Sequence, residues 1–172
     1  MKKSILLSLV VLMVASLEAA TYRVTPDAVG GGDGQSWGSP MTINEAIAAA
    51  TTAEDIILCK AGTYTPTATI AISTSMTVRG GLKGTDDETL ADNGKRSVFD
   101  AQNNTSITAI FTVTTLSGLN TFEGIEVRNA YFRGFNKTKA GSLSFKNCVF
   151  DSCGRNYTAS QSGKIRGMAG SF

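Results

Sequence analysis

The sequence contains no histidine. That absence excludes nucleophile–histidine catalysis and every other mechanism that needs an imidazole base. Cysteine is scarce too: Cys59, Cys148 and Cys153 are the only three. Three thiols without a histidine fit a zinc site poorly. In an oxidising compartment they leave room for one disulfide and one odd thiol. Cys148 and Cys153 are close enough in sequence to close a small loop, whereas Cys59 lies in an apolar strand and reads as a small buried hydrophobe. Charge of one sign is also missing. The formal net charge is +2, and +1 once Lys2, Lys3 and Glu18 of the first twenty residues are set aside. So even a balance gives no reason to expect nucleic acid or an anionic membrane surface as a partner.

Long apolar runs are absent as well, with one exception. Lys2 and Lys3 precede thirteen mostly apolar residues, Ile5 to Leu17, and small residues come next at Ala19 and Ala20. This is the layout of a secretory signal peptide, too short for a membrane span, which needs about 20 apolar residues. Cleavage after Ala19 places Leu17 at the −3 position and cleavage after Ala20 places Glu18 there, so the site is undecided and a retained anchor is the alternative. The expected destination is outside the cell or on its surface, with no membrane span after the signal is removed.

The remainder of the chain is organised as a short entry region and then a long β-rich region. Tyr22 to Val24 reads as a strand, succeeded by the loop Gly30-Gly31-Gly32-Asp33-Gly34. That loop does not open a helix directly and no Lys-Ser/Thr comes after it, so it is a turn rather than a phosphate cradle. Thr42 and Glu45 form a capping box, with Ile43, Ala46, Ile47 and Ala50 as an apolar stripe at helical spacing. From residue 55 onward the pattern is short strands: Ile56 to Cys59, Thr69 to Ile72, Met76 to Arg79, Ser97 to Phe99, Ala109 to Val113, Thr121 to Val127 and Ser142 to Phe145. These are rich in β-branched and aromatic residues and separated by Gly, Asn, Ser, Thr or Asp. Without further helices, the choice lies between an antiparallel sandwich and a β-solenoid.

Internal similarity favours the solenoid. Gly124 to Phe132 aligns with Ser142 to Phe150 at an offset of 18 residues, matching apolar residues, a basic residue, Asn and Phe. One repeat per coil, stacked about 4.8 Å apart, would set Ile125 on Leu143, Val127 on Phe145 and Asn129 on Asn147. The expected organisation is a signal peptide at 1–20, an entry strand, Gly-rich loop and capping helix at 21–54, parallel β-helix coils at 55–155, and an irregular tail or truncated coil at 156–172.

Several stretches carry a family resemblance. Tyr22-Arg23-Val24-Thr25-Pro26, Gly32-Asp33-Gly34-Gln35-Ser36-Trp37, the helix Ile43 to Ala50, Asp55 to Thr67, Val78 to Thr85 and Phe122 to Asn129 together resemble the N-terminal part of secreted bacterial proteins of the pectin-lyase-like superfamily. The resemblance implies an all-β fold, a right-handed parallel β-helix with one N-terminal capping α-helix. It does not imply an activity, because the superfamily holds polysaccharide lyases, glycoside hydrolases and non-catalytic adhesin-like proteins. It also implies that the chain is truncated, with about five turns on a ~20-residue repeat. An uncapped C-terminal end would then invite edge-to-edge self-association.

No lyase or hydrolase constellation is visible, and no catalytic residue is assigned. Asp86, Asp87, Glu88 and Asp92 form the only acidic cluster, whose oxygens could hold Ca²⁺, although a solvated turn is the plainer reading. In the 18-residue register, Glu126 and Arg128 face outward. Arg128 would stack on Lys146, a like-charge pair that an anionic ligand such as a uronate chain would relieve. Tyr131, Phe132 and Phe135 nearby could stack on sugar, though Phe132, matched to Phe150, reads as core. Arg128, Lys146, Glu126 and Tyr131 are therefore the candidate ligand-binding residues. The expected role is a secreted or cell-surface, non-catalytic, adhesin-like protein that binds polysaccharide or another surface component. A lyase or hydrolase fragment and a structural spacer are the alternatives.

Overall fold

The computed structural model describes residues 18–85, 92, 94–154 and 170–171. Residues 1–17, which fall in the expected signal peptide, most of the tail, and Asp86, Asp87 and Glu88 lie outside the described residues. In chain order the elements are β1 (Thr21–Val24), α1 (Ile43–Ala49), β2 (Ile56–Lys60), β3 (Gly62–Tyr64), β4 (Ile70–Ile72), β5 (Thr77–Leu82) and β6 (Ser97–Asp100). Next come β7 (Phe111–Val113), β8 (Leu119–Glu123), β9 (Ile125–Arg128), β10 (Phe135–Lys137), β11 (Ser142–Lys146), β12 (Val149–Asp151) and β13 (Gly170–Ser171). No helix among the described residues is long and apolar enough to cross a membrane.

The strands form three sheets. The first runs β1-β2-β5-β8-β11, the second β3-β6-β9-β12-β13 and the third β4-β7-β10. Every pairing is parallel except that of β12 with β13. Between β2 and β10 the chain visits the first, second and third sheets in turn and returns to the first beside the strand it left. That order is what parallel strands without βα crossovers allow. The predicted Thr121 to Val127 strand is divided at Gly124 because the chain turns there from the first sheet to the second. Strands β3, β10 and β12 are not among the expected ones because, unlike the equally short β4 and β7, none carries large apolar residues at both of its alternating ends.

The 18-residue register is overturned. Phe122 lies beside Phe145, a step of 23 residues, and Val127 lies beside Phe150. Ile125 is therefore not beside Leu143, nor Val127 beside Phe145. Asn129 and Asn147 do not form a ladder: both have positive φ, 52° and 50°, and occupy different corners. The similarity between the two segments records a shared local grammar instead. In each, an alternating strand ends in a basic residue followed by an Asn that accepts the left-handed turn.

Inward side chains build one continuous core. Tyr64, Phe99, Phe111, Phe122, Phe135, Phe145 and Phe150 touch in succession, with neighbouring ring centroids 4.8–5.7 Å apart, distances at which aromatic pairs add to simple burial. Phe135, a candidate sugar platform in the sequence, belongs to this core. Phe132, read there as core, is half-buried and packs edge-on against Tyr131. Cys59 is fully buried among the apolar residues, as expected.

α1 covers the N-terminal end. Its capping box is complete: the Glu45 N–H donates to Thr42 Oγ1 at 3.3 Å and the Thr42 N–H donates to Glu45 Oε2 at 2.9 Å. Ile43, Ala46, Ile47 and Ala50 are buried, and the helix packs on β1 and β4. Asp55 ties the entry strand down, accepting from the Ala20, Thr51 and Thr52 N–H groups and the Thr52 hydroxyl at 2.7–2.9 Å. At the opposite end, Leu143 and Phe145 are half-buried against the core, and β11 pairs on one side only among the described residues. That end is not wholly bare, because β13 adds to β12.

Candidate ligand-binding face

Strand β9 of the second sheet alternates between buried and half-buried residues. Ile125 and Val127 point into the core, so Glu126 and Arg128 point outward as the sequence suggests. Arg128 does not stack on Lys146, however. Arg128 lies between Asp100 of β6 and Asp151 of β12, whereas Lys146 lies beside Glu123 in the first sheet. The like-charge pair disappears with the 18-residue register. In its place Arg128 donates from Nε to Asp100 Oδ2 at 2.8 Å and approaches Glu126 Oε1 at 3.6 Å. Next to Lys146, Glu123 takes a 3.4 Å contact from Arg79. Outward charges therefore alternate along both sheets, an arrangement that favours cross-strand pairs.

Asp100 is mostly buried, which by itself would raise its pKa. Hydrogen bonds from the Asn129 amide, the Gln102 N–H and Arg128 outweigh burial and hold it below the ordinary carboxylate value. Arg128 is thus already neutralised by the protein. Tyr131 sits in the loop between β9 and β10, half-buried against Phe132, away from the sheet's outward columns. Lys146 is exposed at the edge of the first sheet.

What the second sheet does offer is a groove of about 440 Å³, lined by Thr63, Asp92, Lys95, Arg96, Val98 and Glu126 among others. Of the four ligand candidates, only Glu126 belongs to it. Lys95, itself exposed, contacts the half-buried Asp92 at 3.1 Å. Arg96 differs from the other basic groups here. Its guanidinium is held by the Asn147 Oδ1 at 3.1 Å and the Asn147 carbonyl at 3.4 Å, and it makes no ion pair among the described residues. A half-buried Arg fixed by neutral acceptors keeps its charge available to a ligand. Sequence reasoning missed Arg96 because it precedes β6 in a loop with no aligned copy in the neighbouring coil. Only its position one residue before a strand marked it.

Of the acidic cluster, Asp92 alone is described, and it is engaged by Lys95. Among the described residues no group of three or more His, Cys, Asp or Glu side chains is placed to hold a metal ion. Cys148 and Cys153, the disulfide candidates, are not bonded to each other in the structure, where all three cysteines stand as free thiols. Cys148 Sγ donates to the Phe122 carbonyl at 3.3 Å and Cys153 Sγ to the Val127 carbonyl at 3.5 Å, so each is directed at a different strand of the preceding coil. Burial pushes Cys59 up to about 12 and Cys153 up to about 11, and raises Cys148 as well. None is an activated nucleophile. Compared with known proteins, the chain matches no family model, no curated protein and no solved structure.

Proposed function

We propose that the chain is an exported, right-handed parallel β-helix of pectin-lyase-like type, acting as a non-catalytic surface protein that binds polysaccharide along its second sheet. The sheet order supports the coiled architecture. The observation that carries the binding role is the groove in which Arg96 is positioned by Asn147, with no carboxylate partner among the described residues. Around it stand Thr63 and Glu126 on the rigid sheet, with Asp92 and Lys95 in the loop before β6, a mixture of donors and acceptors that suits a polyhydroxylated chain. Rigid placement lowers the entropy lost on binding. Local groups of the site also favour binding over chemistry. Among its described residues, Asp92 is tied to Lys95 and Glu126 lies 3.6 Å from Arg128, so neither carboxylate stands free as a base.

The test is a glycan-array screen with the native chain and with Arg96→Ala combined with Lys95→Ala. Loss of the hits by at least about tenfold is expected, corresponding to one or two charge-assisted hydrogen bonds. Unchanged binding would remove the groove from the function. Accumulation of unsaturated product from polygalacturonate with Ca²⁺ would replace the binding role with a lyase.

A further inference from the structure

A second cavity, of about 160 Å³, lies at the capped end, between α1 and the loops that come after β1 and β3. Its walls include Thr25, Ala28, Asn44, Thr65 and Thr67, and its floor is formed by Tyr64 and Phe99. No charged side chain lines it. The volume corresponds to about five water molecules, room for one sugar ring with its hydroxyls in their place and not for two.

The floor and the frame are held independently of any ligand, while Asn44, Thr65 and Thr67 stand exposed at the rim. The Tyr64 hydroxyl donates to the Val24 and Lys60 carbonyls at 3.0 and 2.8 Å, and its ring stacks on Phe99 with centroids 4.8 Å apart. Glu45 closes the capping box and also accepts from the Gly31 N–H at 2.9 Å, fixing α1 to the glycine loop. Pro26 and Pro66 line the two loops, each with φ restricted by its ring. Within this frame the side chains of Asn44, Thr65 and Thr67 have no hydrogen-bond partner among the described residues. They supply an amide and two hydroxyls, neutral donors and acceptors that can exchange water for the hydroxyls of a ligand.

We infer that this cavity binds a single neutral monosaccharide unit, at a site separate from the lateral groove. A uronate gains no advantage there, because no cation lines the cavity to meet its carboxylate. The two sites consequently differ in charge preference, the groove containing Arg96 and this cavity containing no ionised group.

Saturation-transfer NMR on the full chain with glucose, galactose, mannose and galacturonate tests the inference. Transfer to at least one neutral hexose is expected, no weaker than that to galacturonate. Asn44→Ala with Thr67→Val should weaken binding by about tenfold or more, as two neutral hydrogen bonds are removed. Ala28→Trp should abolish it by filling the cavity, with circular dichroism confirming the fold. If that variant does not fold, the Asn44/Thr67 pair decides alone. Arg96→Ala should leave this binding unchanged, which separates its failure from failure of the groove. Absence of transfer to every neutral hexose would overturn the inference. So would stronger transfer to galacturonate, or binding that survives the Asn44/Thr67 pair.

Discussion

Arg128 of β9 donates to Asp100 of β6 across 2.8 Å, so the charge that the sequence offers to an external anion is consumed by the preceding coil. Arg128→Ala should therefore act on stability and not on ligand binding. It leaves Asp100, whose side chain is 11% exposed, without its cation. The expected loss is about 1–3 kcal/mol by chemical denaturation. Arg96→Ala should do the reverse, changing stability little while weakening glycan binding. A stable Arg128→Ala protein that loses binding would place the ligand on the wrong residue.

Acid should unfold the protein through Asp55 and Asp100. For Asp55, burial raises the pKa, but the hydrogen bonds from Thr52, Ala20 and Thr51 outweigh it and hold the carboxyl below its ordinary value of 3.8; Asp100 is shifted the same way. With folded values below the unfolded ones, the unfolded chain binds more protons in acid. Their stabilisation is complete above the ordinary carboxylate range and is lost as pH falls through the folded values. Melting temperature should stay flat from about pH 7 to 5 and fall below about pH 4. Asp55→Asn should destabilise the fold at neutral pH by about 1–3 kcal/mol and flatten the acid limb.

The aromatic row should be strongest in its middle. Phe122 is fully buried between Phe111, Phe135 and Phe145, so Phe122→Ala should cost about 3–5 kcal/mol. Phe145 is only half-buried, and its alanine variant should cost less, about 1–3 kcal/mol, since part of its surface already meets solvent. Equal losses in urea titrations would mean that the core continues undiminished past β11.

Gly124 turns the chain from the first sheet to the second with φ 64°, and a Cβ there would come within 2.6 Å of the Gly80 carbonyl oxygen. Gly124→Ala should cost at least about 1–3 kcal/mol from backbone strain before the contact is counted. Asn147 occupies the equivalent corner one coil later with φ 50°, and there a glycine should be accepted without strain. Thermal unfolding of the two variants compares the positions directly.

All three thiols should resist modification in the native protein and react after denaturation without reductant. Burial raises each of them from an ordinary value of 9.0. Folded values above unfolded ones give a contribution that is intact below about pH 9 and lost at higher pH. Counting alkylated sites by mass under denaturing, non-reducing conditions should give three; finding one would indicate a disulfide.

The capping helix, the entry strand and most strands were legible because their signals are local. Thr42 with Glu45 specifies a helix start wherever it occurs, and a continuous apolar run marks β2 as alternation marks β9, without knowledge of their neighbours. Register was not legible, because it depends on how many residues each corner and loop consume. The chain takes 44 residues from Val78 to its partner Phe122 but 23 from Phe122 to Phe145. A similarity search at fixed spacing cannot see through such unequal turns. It found instead the strand-end motif shared by Arg128-Asn129 and Lys146-Asn147. The site moved with the register. Glu126 stayed on the outer face under either alignment, whereas the partnership of Arg128 with Lys146 existed only under the wrong one.

The lid formed by α1 also bears on how such a molecule can change length. With one terminus sealed by Ile43, Ala46 and Ile47, growth by duplication is easiest within the stack, where a copied turn meets strands on both sides. A tandem copy of residues 119–141 would insert one rung and displace everything beyond it by about 4.8 Å. The sealed terminus and its cavity would keep their shape while the lateral groove gained reach.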